Sequence, residues 1–116
     1  MKRIGLFGGT FDPIHNGHIR MALEVAENLQ LDEVRLIPVN QPSHRSRPIA
    51  SAAQRLEMIS SAIKAPLVLD DIEIRRGGTS FTIDTLNYLR AEYPGCSLLM
   101  ILGDDAFGSL KTWRKS

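Results

Sequence analysis

Short apolar runs and amphipathic stretches alternate along this chain. Ile4-Gly5-Leu6-Phe7 stands behind Lys2-Arg3 and runs into Gly8-Gly9, the pattern of a strand that ends in a tight turn. Ile19, Ala22, Val25, Ala26 and Leu29 then recur at helical spacing, with Arg20, Glu24, Glu27 and Asn28 off that face. Val34 to Val39 predicts a second strand, followed by a proline- and serine-rich loop over Asn40 to Ile49. That loop exceeds the usual span between a strand and a helix, which points to binding rather than simple connection. Ser51-Ala52-Ala53-Gln54 has the form of a capping box, and Leu56, Ile59 and Ile63 supply the buried face of the helix it opens.

Pro66 stops that helix and Leu67-Val68-Leu69 reads as a third strand. Ile72-Glu73-Ile74 alternates, as an extra edge strand would, before the Arg75-Arg76-Gly77-Gly78 turn. A helix is expected from about Thr82 to Tyr93, with Ile83, Leu86 and Leu89 on one face and Pro94-Gly95 at its end. Leu98 to Leu102 is the most continuous apolar run, as expected of a parallel strand covered on both faces, and it ends in Gly103-Asp104-Asp105. The order predicts an α/β fold: a Rossmann-like, doubly wound parallel sheet, within one domain over residues 1–116. Such sheets bind ligands beyond the carboxyl ends of their strands. The polar clusters at 8–18, 40–47 and 103–105 all fall at such ends.

Composition narrows the classes. The 116 residues carry a formal net charge of +1, which gives no general attraction to a nucleic-acid polymer or a membrane surface. No run is long and apolar enough to span a bilayer. The single cysteine, Cys96, has no partner within the chain, so a reducing cytoplasm is the default compartment.

The chemistry concentrates in GGTFDPIHNGH, residues 8–18. Gly8 and Gly9 bare the backbone where it must turn and approach a ligand, and Thr10 adds a hydroxyl. His15 and His18 straddle the predicted helix start, where free amides and the positive dipole end favour an anion. Two imidazoles at this spacing could also begin a metal site, although a catalytic zinc usually takes three protein ligands and none follows nearby. They could equally be plain helix caps. Gly-Gly-Thr, Pro13 and Gly17 at the end of a first strand favour the phosphate site.

This stretch resembles the signature of the nucleotidyltransferases with the (H/T)xGH motif, and its double glycine, Thr10 and His15 resemble the bacterial nicotinate mononucleotide adenylyltransferases in particular. Ser80-Phe81-Thr82-Ile83-Asp84-Thr85-Leu86 is similar to that family's SYTxDTL segment, with Phe81 for tyrosine, and Gly103-Asp104-Asp105 with Trp113 is similar to its GxD(x7)W pattern. The resemblance implies adenylyl transfer from ATP to nicotinate mononucleotide, giving nicotinate adenine dinucleotide and pyrophosphate, in NAD biosynthesis. It implies that His18 acts on the α-phosphate in the transition state and His15 on the ATP phosphates, both as catalytic residues. Further ATP contacts are implied at Gly8, Gly9, Thr10, Phe11 and Gly103. Thr82, Asp105 and Trp113 are implied for the mononucleotide, Trp113 as a stacking surface for the nicotinate ring. His44 and Arg45 stand where the family has PPH(K/R), with Ser43 for proline, and would hold mononucleotide phosphate. Arg47, Arg75 and Arg76 read as solvated surface charge. Mg²⁺ is expected to arrive with the ATP phosphates, with no metal held by the protein alone.

Family members usually run longer and carry an (I/S)S(S/T)xxR segment near the carboxyl end, which nothing after Trp113 supplies. The resemblance therefore implies the amino-terminal part of a longer domain, lacking its C-terminal strand and helices. Leu98 to Leu102 would then present an unpaired edge unless another chain, such as a second copy in a homo-oligomer, covers it. A related nucleotidyltransferase with nicotinamide mononucleotide or phosphopantetheine as acceptor, and a non-catalytic nucleotide-binding remnant, are the other readings.

Overall fold

The computed structural model describes residues 2–11, 14–42, 50–80, 82–103 and 110–115; for 41–42, 79–80, 82–83, 102–103 and 110–115 the description is of the backbone path alone. The main sheet contains β1 (Arg3–Gly9), β2 (Glu33–Pro38), β4 (Leu67–Leu69), β6 (Ser97–Gly103) and β7 (Leu110–Lys115), in the order β4-β2-β1-β6-β7. The first four strands run parallel and β7 is antiparallel to β6. Two two-residue strands, β3 (Gln41–Pro42) and β5 (Thr79–Ser80), pair separately. The helices are α1 (Asn16–Asn28), α2 (Ala52–Ala62), α3 (Ile72–Arg76) and α4 (Thr82–Glu92).

The period-2 alternation of the central strands builds two cores. Phe7 on β1, Val34 and Leu36 on β2, and Leu99 and Ile101 on β6 pack with Ala22, Val25 and Ala26 of α1 and Ile59 of α2. Their neighbours Ile4, Leu6, Ile37, Leu98 and Met100 pack on the opposite face with Ile72 of α3 and with Leu86 and Leu89 of α4. Gly5 lies at the tightest point: a Cβ there would stand 2.8 Å from Leu31 Cδ1 and 3.0 Å from Ile101 Cδ1. This is the doubly wound α/β arrangement expected from the order of elements. The chain leaves β1 toward β2 on one side and later returns to place β6 on the other, so the carboxyl ends of β1 and β6 meet at the switch point.

Three expectations need correction. Residues 72–74 are helical, not an edge strand: Arg75 N–H donates to the Asp71 carbonyl, Gly77 N–H to Glu73, and Ile72 and Glu73 are both buried against the sheet. Alternating Ile-Glu-Ile at this length also fits one helical turn. The outer edge of β6 is not unpaired, because β7 covers it from Leu98↔Lys115 to Gly103↔Leu110. Finally, β1 does not turn at Gly8-Gly9; both glycines continue the ladder, opposite Ile37 and Pro38, and the left-handed residue is Phe11, at φ 49°.

Candidate functional site

The site begins with the hydrogen bonds that start α1. His15 is the N-cap, in extended backbone, and its Nδ1 accepts the Gly17 N–H at 3.0 Å. His18, at the third helical position, returns the bond: its Nδ1 accepts the His15 N–H at 3.1 Å. The pair is a capping box in imidazole form. A Cβ at Gly17 would lie 2.9 Å from His15 Cε1 and 3.0 Å from its Nδ1, so glycine is what lets the ring fold over the helix end. The two rings stack with centroids 3.8 Å apart and 27° between planes.

This cap has a chemical consequence. A ring nitrogen that accepts a hydrogen bond carries no proton, so in the neutral ring the proton sits on Nε2. Each histidine thus has an Nε2–H donor that the cap does not use. Burial pushes the His18 pKa below the ordinary histidine value, and the neighbouring His15 lowers it further. His18 is therefore neutral at physiological pH, a hydrogen-bond donor rather than an acid.

Behind the pair, Phe11 is buried, edge-on to Phe7 at 5.5 Å and to His18 at 5.2 Å. Its side chain packs edge-on against the His18 ring. Gly9 is close to that ring, with a Cβ position 3.2 Å from Phe11 Cζ, whereas a Cβ at Gly8 would meet nothing nearer than the Ile37 carbonyl at 3.8 Å. Gly8 is exposed and open to a ligand.

The segment after β2 reaches the same end of the sheet. Asn40 Nδ2 donates to the Gly78 carbonyl at 2.8 Å, and β3 pairs with β5, so residues 78–80, which lead into α4, lie beside residues 40–42. Thr82 opens α4. Behind this start, Thr85 Oγ1 donates to the buried Glu73 carboxylate at 2.6 Å and accepts from Arg76 Nη2 at 3.0 Å. Arg75 is exposed, as expected, and its Nε pairs with Asp71 at 2.6 Å. Arg76 is also exposed, but its guanidinium serves the α3–α4 contact.

The structure thus brings together Gly8, Gly9, Thr10, His15 and His18. Gly103 ends β6 next to β1, and Trp113 lies in β7 opposite Met100. Asp12, Pro13, His44, Arg45, Arg47, Asp104 and Asp105 lie outside the described residues. Among the described residues no cluster of three His, Cys, Asp or Glu side chains could hold a metal, and no helix is long and apolar enough to cross a membrane. The sequence reading passed over Arg55, whose side chain is buried beneath the Thr10 and Val39 carbonyls. The signal was its place one turn before Ile59, on the helical face that meets the core.

The chain is similar to known proteins in sequence and in fold. A probable nicotinate-nucleotide adenylyltransferase of Pseudomonas fluorescens is 54% identical over 117 residues, covering 98% of this chain and 55% of the relative. One of the same description from Marinobacter nauticus is 54% identical over 113 residues, covering 95% and 52%. The chain spans about half the length of the curated relatives it matches. Among solved structures, the Plasmodium falciparum nicotinic acid mononucleotide adenylyltransferase complexed with NaAD superposes with a TM-score of 0.76 at 22% identity, over 89% of this chain and 52% of that one. That likeness carries the fold. The family described as cytidylyltransferase-like matches residues 6–116, from β1 through β7, and the chain belongs to it.

Proposed function

We propose that this chain carries the adenylyl-transfer site of a nicotinate-nucleotide adenylyltransferase. The observation that carries the reading is the reciprocal cap of His15 and His18, which leaves two Nε2–H donors at a helix N-terminus, in the segment that follows the exposed Gly8 of β1. A phosphate oxygen of nicotinate mononucleotide attacks the α-phosphorus of ATP in line. A new phosphorus–oxygen bond forms, the bond to the α,β-bridging oxygen breaks, and pyrophosphate leaves with that electron pair. The attacking oxygen is already ionised, so no general base is required. Positioning and stabilisation of negative charge are what the site must provide.

Imidazole Nε2–H donors and backbone amides suit that task. His18, stacked on His15 and edge-on to Phe11, is held for the α-phosphate, and His15, more exposed, for the remaining ATP phosphates. These donors bind anionic oxygens rather than a hard cation, which fits Mg²⁺ arriving on ATP, where it would neutralise phosphate charge. The acceptor is assigned to the start of α4 at Thr82, with His44, Arg45, Asp105 and Trp113 taken from the family pattern. In line with the homologues' role, the protein would work in NAD biosynthesis in the cytoplasm.

Pyrophosphate release from ATP and nicotinate mononucleotide, compared between the wild type and His18→Ala, tests this. Loss of the donor should lower turnover by about 10²-fold or more. Equal rates would overturn the mechanism, and release from neither would favour a non-catalytic nucleotide-binding chain. Parallel assays with nicotinamide mononucleotide and phosphopantetheine establish the acceptor.

A further inference from the structure

Arg55 of α2 has no part in the reaction just proposed, yet it is only 2% exposed and reaches the root of the site. Its Nη1 donates to the Thr10 carbonyl at 3.1 Å and to the Val39 carbonyl, and its Nη2 donates to the Asn40 carbonyl at 3.3 Å. Thr10 is the first residue after β1, and Val39 and Asn40 are the first two after β2. At this point the ladder between the two strands makes its last bond, from the Val39 N–H to the Gly9 carbonyl at 2.9 Å. Beyond it, the part-buried carbonyls need other donors. The planar guanidinium fork supplies them to both segments at once, with a rigidity that a lysine ammonium lacks.

The geometry also reaches forward along the chain. A carbonyl and the following N–H belong to one rigid trans peptide plane and point in opposite directions. Holding the Thr10 carbonyl against Arg55 therefore aims the Phe11 N–H away from α2. Phe11 sits at φ 49°, a conformation that a bulky residue adopts only when its surroundings impose it. Arg55 fixes the peptide on one side of that residue, and the packing of the Phe11 ring on Phe7 and His18 fixes the other.

We propose that Arg55 is a positioning residue: it fixes the peptide planes that leave β1 and β2, and so keeps the Thr10–Phe11 amide directed toward an anionic phosphate. The proposal rests on the adenylyl-transfer reading for the identity of that anion, but the clamp itself can be judged separately.

The full chain as wild type, Arg55→Met and Arg55→Lys would be compared by calorimetric titration with Mg·ATP and by amide hydrogen exchange. Arg55→Met should weaken Mg·ATP binding by about 10-fold or more, since small misplacements of phosphate donors are costly. The Val39 amide should exchange faster by a similar factor, while Leu99 and Ile101 in β6 keep their wild-type rates. Arg55→Lys should recover part of both effects, and if Arg55→Met fails to fold, wild-type behaviour of Arg55→Lys in both measurements overturns the proposal. A uniform acceleration of all amides, with affinity following only the folded fraction, would reduce Arg55 to a packing residue; so would faster exchange at Val39 with unchanged affinity. A wild type that binds no Mg·ATP sinks the adenylyl-transfer reading, and the clamp then stands or falls on the Val39 amide alone.

Discussion

Helices α1 and α2 begin with the same hydrogen-bond circuit built from different side chains. At α2, Ser51 Oγ accepts the Gln54 N–H at 3.1 Å and Gln54 Oε1 accepts the Ser51 N–H at 2.9 Å. At α1, two imidazole Nδ1 atoms take these roles, on the amides of Gly17 and His15. The serine and glutamine use their oxygens on the cap and keep donors only on a freely rotating hydroxyl and at the end of a long amide side chain. Each imidazole keeps a second nitrogen on the far side of the ring, and the cap itself determines that this nitrogen is a donor. One helix start is thus structure alone, whereas the other serves as structure and as a pair of oriented donors. The plain-cap reading and the phosphate-site reading of HNGH describe the same geometry.

After the loss expected for His18→Ala, the largest effect that separates the two starts is expected from Gly17→Ala. Alanine normally favours a helix over glycine by roughly 0.5–1 kcal/mol. Here its Cβ would press on the His15 ring at 2.9 Å; the exposed ring can swing away, and the cap it gives up, about 1 kcal/mol, offsets the alanine gain. The melting temperature should therefore change little while turnover falls by about 10-fold or more. Thermal unfolding and pyrophosphate release measured on the same variant check this, and a variant with wild-type turnover would show that the stacked pair is not the working arrangement. Ser51→Ala should behave in the opposite way. It removes a cap of about 1 kcal/mol, which a urea midpoint will register, while turnover stays at the wild-type value.

Much of this contrast was legible in the sequence because it depends on local spacing. The capping box at Ser51, the apolar face of α1 and the strands around Leu6, Leu36 and Met100 follow from periodicities that the sheet and its two helical layers only had to accept. What escaped was set by contacts distant in sequence. Ile72-Glu73-Ile74 alternates like a strand, but its burial against β2 and the bond from Thr85 to Glu73 make it a helical turn. Arg55 drew no reading at all, since the carbonyls of Thr10 and Val39 that it serves are 45 and 16 residues away. Glycines in a motif suggest a left-handed turn, yet Gly8 and Gly9 are straight strand and the strain falls on Phe11, held by rings at positions 7 and 18. The candidate donors could be named in advance. The residues that hold them could not, because support comes from whatever the fold brings alongside.

The smallest expected effect sharpens the comparison most directly, because it converts one cap into the other. In His18→Gln the third helical position of α1 carries the residue that Gln54 supplies in α2, able to accept the N-cap amide but unable to titrate. In the wild type, protonating His18 would place a proton on the Nδ1 that faces the His15 N–H and a positive charge beside the His15 ring, at a partly buried position. The folded state therefore binds this proton more weakly than the unfolded chain. The sign follows from linkage: stability present above the ordinary histidine value of about 6.5 is lost as the pH falls below it toward the lowered folded-state value. Urea midpoints measured from about pH 5 to 8 should decline on the acid side for the wild type and decline less for His18→Gln. Identical profiles would mean that burial and the neighbouring His15 ring do not hold the His18 pKa down, and the proposed role of neutral His18 as an Nε2–H donor to phosphate would lose its support.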